Sequence, residues 1–182
     1  LTLRTFDKND ASDLFEYLKE PLVHCFYCMK LNNVEDAIKE IENRINDNLY
    51  LAIELNDNHN VMGKICGHIE SADPQQNNND TISPCWMLNK EYHHKGYMYE
   101  AVKAYFDYLF NDIGVRRIYA YTEDYNISCQ KLCEKLGMRK EGEFIEFVSF
   151  VNDEKGNPIY ENTYQYAILK QEWINNKIKD NH

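Results

Sequence analysis

The sequence predicts one α/β domain built on a mixed, mostly antiparallel sheet of about seven strands with helices on both faces. Three observations carry that expectation. Strand-like and amphipathic runs follow one another in the order β, α, α, three strands, α, β, α, β, β, which suits a layered α/β arrangement with hairpins on both sides of a β-loop-α-β-α core. No Pro-, Gly- or Ser-rich linker and no internal repeat interrupts the 182 residues, so residues 1–182 are expected to form a single domain. A chain of this size hides roughly 70% of its extended surface on folding, enough for a core without disulfides or metals.

The elements follow in order. "LTLRTF" at 1–6 alternates and starts a strand. Ala11, Leu14, Phe15 and Leu18 share one helical face, with Asn9 or Asp10 as the cap and Pro21 as the stop. Asn33 caps a second helix whose apolar stripe is Val34, Ala37, Ile38, Ile41 and Ile45. "LYLAIEL" at 49–55 and "VMGKICGHIE" at 61–70 flank the turn "NDNHN" as a hairpin. "PQQNNND" at 74–80 reads as a mobile loop before a strand around 83–89. A helix is expected from about Tyr97 to Phe110, with Met98, Ala101, Val102, Tyr105 and Leu109 inward. "RRIYAYT" at 116–122 shows little polar alternation, as a central strand would. The helix at 126–136 buries Cys129, Leu132, Cys133 and Leu136 and stops at Gly137. Strands at 144–150 and 162–170 surround the turn "NDEKGNP", and "QEWINNKIK" closes as a short helix.

Charge and cysteine content exclude several function classes. Twenty Lys and Arg against thirty Asp and Glu give a net charge of -10, so the chain lacks the basic footprint of a nucleic-acid binder. The balance suits solubility, and to a lesser degree a cationic partner. No apolar run approaches the ~20 residues of a membrane span, and no signal-peptide pattern is visible. Six cysteines outside any dense framework read as reduced thiols in the cytoplasm.

The most informative stretch is "NKEYHHKGYMYEA" at 89–101, a basic loop with one glycine between a strand and a helix. The first N–H groups of such a helix lack partners and, with the helix dipole, form an anion site. Gly96 lets backbone approach a ligand, while Lys95 and a protonated His93 or His94 add positive charge, so a phosphate or pyrophosphate is the expected ligand. A plain turn glycine is the alternative. Neither the nucleotide-triphosphate loop nor the dinucleotide fingerprint is present.

Residues 86–142 resemble the core of the GNAT acetyltransferases, and more closely the Rim-type branch that acetylates ribosomal-protein N-termini. The branch pattern, roughly "WLNPEYWGKGYATEA", "RIEA" and "NxxSxxxLEKLGF", is met here by "MLNKEYHHKGYMYEA", "RIYAYT" and "NISCQKLCEKLGM". "LTLRTFDKNDA", "VMGKICGHIE" and "YQYAILKQEW" fit the flanks in the same order. The resemblance implies an acetyl-coenzyme A site. Backbone N–H groups of His93, His94, Lys95, Gly96, Tyr97 and Met98 would cradle the pyrophosphate, the strand at Trp86, Met87 and Leu88 would pair with the pantetheine arm, and Asn126 would bind from the facing helix. Two positions depart from the pattern: Met98 stands where Gly or Ala is usual, and His93 where Gln or Arg is frequent.

The implied reaction is direct attack of an amine, a peptide N-terminus or a small amine, on the thioester, with no acyl-enzyme. A main-chain N–H near Met87 or Leu88 would polarise the carbonyl. Both usual proton-donor slots hold thiols: Cys133 replaces Tyr, and Cys129 replaces Ser. A thiol near pKa 8.5 is roughly matched to the leaving thiolate. Each cysteine reads equally as a small buried residue on the apolar stripe. Glu146, on a face with Phe144, Val148 and Phe150, is the candidate base because apolar neighbours raise a carboxylate's pKa. It can also be an outward or salt-bridged residue. His68 can relay a proton or be structural. His24, Cys25 and Cys28 form a C-x-x-C that no second motif completes, so no metal is expected, and segment 20–32 would instead line the acceptor pocket. The resemblance implies a monomer or homodimer. A coenzyme A-binding sensor without transfer is the alternative function.

Overall fold

The computed structural model describes residues 1–71, 75 and 79–180; most of the loop expected at 74–80 lies outside them. The regular elements are β1 (Thr2–Thr5), α1 (Ala11–Leu18), α2 (Val34–Arg44), β2 (Leu51–Glu54), β3 (Val61–Glu70), β4 (Thr81–Leu88), α3 (Tyr97–Tyr108), β5 (Arg117–Glu123), α4 (Ile127–Lys135), β6 (Arg139–Asn152), β7 (Pro158–Leu169) and α5 (Lys170–Asp180). The strands order β1-β2-β3-β4-β5-β7-β6 in one sheet. β4 and β5 run parallel, while β1–β2, β2–β3, β5–β7 and β6–β7 are antiparallel. The mixed seven-stranded sheet expected from the sequence is therefore present, and the parallel pair is the one whose strands are joined through α3, as a parallel connection requires.

The chain divides into two compact units, Leu1–Gly67 with Cys85–Tyr105 and His68–Pro84 with Phe106–His182. In the first, Phe6, Leu14, Leu18, Ile41, Tyr50 and Met87 form a core to which α1 and α2 contribute their apolar stripes. Asn33 caps α2 as expected, accepting the Asp36 N–H at 2.8 Å. Asp10 stands at the cap position of α1, as expected, but its side chain does not cap that helix. Asp7 accepts the Asn9 N–H at 2.9 Å and Asp10 accepts the Asp7 N–H at 2.7 Å, so a capping box opens a three-residue 3-10 turn ahead of the helix. Asp10 also takes a two-pronged bond from Arg4, at 2.7 and 2.9 Å, and Arg4 Nε pairs with Glu54.

In the second unit, Trp173 of α5 packs among Phe106 and Phe110, with ring centroids 5.6 and 6.1 Å away, and its indole N–H donates to Asp107 at 2.8 Å. α3 runs on into a π-helical turn over Leu109–Ile113, one turn beyond the expected end. β6 is long but irregular. Phe144 faces Thr163 and Val148 faces Glu161, so four steps on β6 match two on β7 and residues 145–147 bulge. Among the described residues no helix is long and apolar enough to cross a membrane.

Candidate active site

β4 ends against β3 in an unusually close approach. The Asn89 N–H donates to the Met62 carbonyl at 2.7 Å. A Cβ on Gly63 would lie 2.3 Å from the Met87 oxygen and 3.0 Å from the Leu88 Cα, so no larger residue fits without moving the strand. Met87 and Leu88 are buried and Trp86 is half-buried. A 3-10 turn over Lys90–Tyr92 follows, capped by Asn89, which accepts the Glu91 N–H at 3.1 Å.

The loop itself is held from below. His93 Nε2 lies 3.0 Å from the Leu88 carbonyl, to which it donates, and the His93 backbone N–H donates to the Lys90 carbonyl at 3.1 Å. Both donors of His93 at this junction are thus committed within the protein, which corrects its expected place among the cradling N–H groups. His94 and Gly96 are left-handed, with φ of +60° and +83°, and bend the chain straight into α3. A Cβ on Gly96 would meet nothing within 4 Å, so glycine serves the backbone angle here and the space beside it is open. The first helical bond runs from the Glu100 N–H to the Gly96 carbonyl at 3.2 Å, leaving the N–H groups of Tyr97 and Met98 without an acceptor in the helix. His94 and Lys95 are exposed, and Lys95 Nζ sits 5.5 Å from the Tyr92 ring centre. Backbone donors without helical acceptors, beside two exposed basic side chains at the positive end of a helix dipole, favour negative charge.

α4 opens on Asn126, whose Oδ1 accepts the Cys129 N–H at 3.2 Å and whose NH2 group remains to donate. Cys129 is half-buried and Cys133, one turn on, is fully buried. Interaction with the Cys129 thiol, then burial, pushes the Cys133 thiol far above the ordinary range. Ser128 is exposed.

The setting expected for Glu146 is not the one observed. The bulge breaks the alternation that would have placed it on a face with Phe144 and Val148. Glu146 is exposed and left-handed at φ +48°, its N–H donating to Asn162 Oδ1 at 2.9 Å. His68, on β3, is exposed. His24, Cys25 and Cys28 lie on a 3-10 turn over His24–Met29; His24 stacks edge-on with Tyr27, and Cys28 Sγ donates to the Cys25 carbonyl at 3.5 Å. Among the described residues no group of three or more His, Cys, Asp or Glu is arranged to hold a metal ion.

The acetyltransferase (GNAT) domain matches residues 1–139, about three-quarters of the chain. This chain belongs to the GNAT family. An uncharacterised N-acetyltransferase of Bacillus subtilis, YnaD, is 29% identical over 174 residues, covering 95% of each chain. A GNAT-family acetyltransferase from Bacillus anthracis is 25% identical with a TM-score of 0.78, over 93% of this chain and 94% of that one. The fold is also shared with the ribosomal-protein-S5-alanine acetyltransferase of Vibrio fischeri, at 21% identity, TM-score 0.71 and coverage of 94% and 93%. The protein is accordingly an acyltransferase of the GNAT N-acetyltransferase class, whose members use acetyl-coenzyme A as acyl donor.

For a GNAT enzyme, the loop after β4 fits a pyrophosphate on this chain's own geometry: open space at Gly96, two N–H groups without helical acceptors, and Lys95 at the rim. Sequence reasoning missed Gly63, which sets how closely β3 supports Met87 and Leu88. Its signal was a glycine inside an otherwise strand-like run, "VMGKICG".

Proposed function

We propose that residues 1–182 act as one domain that transfers the acetyl group of acetyl-coenzyme A to a primary amine by direct attack in a ternary complex. The observation that carries this reading is the left-handed His94–Gly96 turn that presents the α3 N-terminus to open space. In the proposed binding mode, His94 to Met98 hold the pyrophosphate through backbone N–H groups. Trp86 to Leu88 pair with the pantetheine arm, and the Asn126 NH2 group donates to the donor substrate. A main-chain N–H at Met87 or Leu88 polarises the thioester carbonyl, a fixed dipole of the kind commonly worth a few kcal/mol in the transition state.

The proton needed by the departing thiolate comes through the α4 thiols in this reading, with Cys129 or Cys133 as donor and Cys133 as a thiol that stays protonated. An acid held as tightly as Cys133 is a slow donor, and this favours a second reading in which the chain binds coenzyme A and transfers weakly or not at all. For the acceptor, rings of Tyr121, Phe144 and Phe147 cluster with centroids 4.9 to 6.2 Å apart, next in sequence to the exposed Glu146. Such π faces and a carboxylate suit a cationic amine, a peptide N-terminus or a small amine, which enters charged and reacts neutral.

Thioester consumption measured over a panel of N-terminal peptides and polyamines separates the two readings. Turnover with an amine supports transfer, whereas coenzyme A binding without turnover supports the sensor. Gly96→Val forces a β-branched residue into a left-handed angle and should weaken coenzyme A binding by at least roughly tenfold. Unchanged affinity would remove the loop from the site.

A further inference from the structure

The antiparallel register of β5 and β7 sets Glu123 directly opposite Thr163. Opposed residues of such a pair send their side chains to one face of the sheet, with Cβ atoms about 4.5 to 5.5 Å apart. Both are buried, each only 4% exposed. The Thr163 hydroxyl is sealed from solvent and has no hydrogen-bond partner. Among the described residues no hydrogen bond or ion pair reaches the Glu123 carboxylate. The Gln130 side-chain amide and the Asn126 N–H donate to the main-chain carbonyl of Glu123 instead, at 3.2 and 3.1 Å. The cations of these strands are spent elsewhere: Arg117 and Arg139 pair with Glu141, and Lys140 with Glu143.

A buried carboxylate without a countercharge is costly, and so is a buried hydroxyl without a partner. One group that carries positive charge and several N–H donors would relieve both. The rest of the face suits the same group. Tyr121 lies two residues before Glu123, and Phe144 of β6 is registered opposite Thr163. Their rings are 6.2 Å apart, and Phe147 closes the cluster at 5.9 and 4.9 Å from them. Tyr121 and Phe147 are about half exposed, so this side of the cluster is open to solvent. Glu161, two residues before Thr163 on the same face, adds a second buried carboxylate, which accepts the Tyr125 hydroxyl at 3.2 Å.

We propose that Glu123 and Thr163 bind the ammonium group of the acceptor, which enters as a primary amine in its cationic form; this rests on the transfer reading above. One ammonium N–H donates to the Glu123 carboxylate and another to Thr163 Oγ1, while Tyr121 and Phe144 offer ring faces to the charge. A neutral alcohol of the same length supplies neither the charge nor the second donor, so the site rejects it.

The test follows the Thr163 methyl resonance of the full chain by NMR, without acetyl donor, during titration with n-butylammonium chloride. Sodium chloride and n-butanol are the controls. A saturable shift is expected with the ammonium ion alone, and Glu123→Gln should weaken that binding by roughly tenfold or more. With acetyl-coenzyme A present, Glu123→Gln should raise KM for the amine by a similar factor, lower kcat less, and leave coenzyme A affinity unchanged. A Thr163 methyl that does not move, or that moves equally with n-butanol, overturns the proposal, as does wild-type ammonium affinity in Glu123→Gln. The titration of the unsubstituted protein decides the matter even if the variant fails to fold. The two readings fail separately. A saturable ammonium shift without turnover of any amine sinks transfer and leaves the ammonium site standing. Turnover with an unchanged amine KM in Glu123→Gln sinks the ammonium site and leaves transfer standing.

Discussion

Two pairs of cysteines in this chain shift one another's protonation, and the fixed charges around them differ. Cys66 and Cys85 lie on the neighbouring strands β3 and β4, with the buried Lys64 two residues before Cys66. Cys129 and Cys133 sit one turn apart on α4, with Glu134 adding a negative charge. In each pair one thiol is pushed up by its partner and by burial. In the strand pair the other thiol drops to about 7, chiefly through its interaction with Cys85, against burial and with help from Lys64 and Arg44. The lesson is that a thiol–thiol bond decides only that the two sulfurs share a proton unequally. Fixed charges add to that inequality: Lys64 and Arg44 lower Cys66, and Glu134 raises Cys133 further.

The sharpest way to break that contrast is to move the strands without touching a sulfur. Gly63→Ala places a methyl 2.3 Å from the Met87 oxygen, so β4 must shift. Overpacking of this kind costs about 1–3 kcal/mol. A lowered melting temperature is expected, together with a rise in the Cys66 titration midpoint as its partner moves away. Cys133 should keep its resistance to alkylation. A Gly63→Ala protein with the wild-type midpoint would show that the interaction with Cys85 does not set it.

Lys64→Met removes the charge and keeps most of the volume. The Cys66 midpoint should rise by about one pH unit, which cuts its alkylation rate at pH 7 roughly fivefold. Stability should change little or increase, since a buried cation is exchanged for an apolar side chain. An unaltered rate by iodoacetamide trapping would mean that Lys64 is not the countercharge. A smaller effect is expected of Glu134→Gln on the helix pair. Burial and Cys129 outrank Glu134 there, so alkylation of Cys133 should accelerate by less than roughly threefold.

How far the sequence revealed these features depends on periodicity. The α2 stripe and its Asn33 cap, the central β5 and the β4–loop–α3 junction all leave a clear pattern, because one face of each is buried or because a glycine marks a required angle. The family resemblance rested on the same junction and agrees with the domain match. Three features left no such trace. β3 is buried on both faces from Val61 to Ile65, so alternation gives no hint that Lys64 is inside. "FIEFVSF" alternates as well for a plain strand as for the bulged one that exposes Glu146, because a bulge is set by pairing with β7. The opposition of Glu123 and Thr163 depends on the register of β5 with β7, which spacing alone does not fix.

The smallest expected effect is a pH dependence of stability, and its sign follows from the direction of each shift. Cys66 has its folded pKa lowered from the ordinary 9.0 to about 7. Its stabilising contribution is complete above the unfolded value and is lost as pH falls through the folded one. Stability should therefore rise between about pH 7 and pH 9. Cys85 is shifted the other way, so its contribution is present below its unfolded value and is lost as pH climbs past it. The two together place the best pH near 9, with an amplitude on the order of 1 kcal/mol once solvent screening is allowed for. Urea denaturation at intervals from pH 6.5 to 9.5, under reducing conditions, measures it as the difference between wild type and Cys66→Ser. If the two curves stay parallel across that window, Cys66 is protonated in the folded state at neutral pH, and the strand pair loses its distinction from the helix pair.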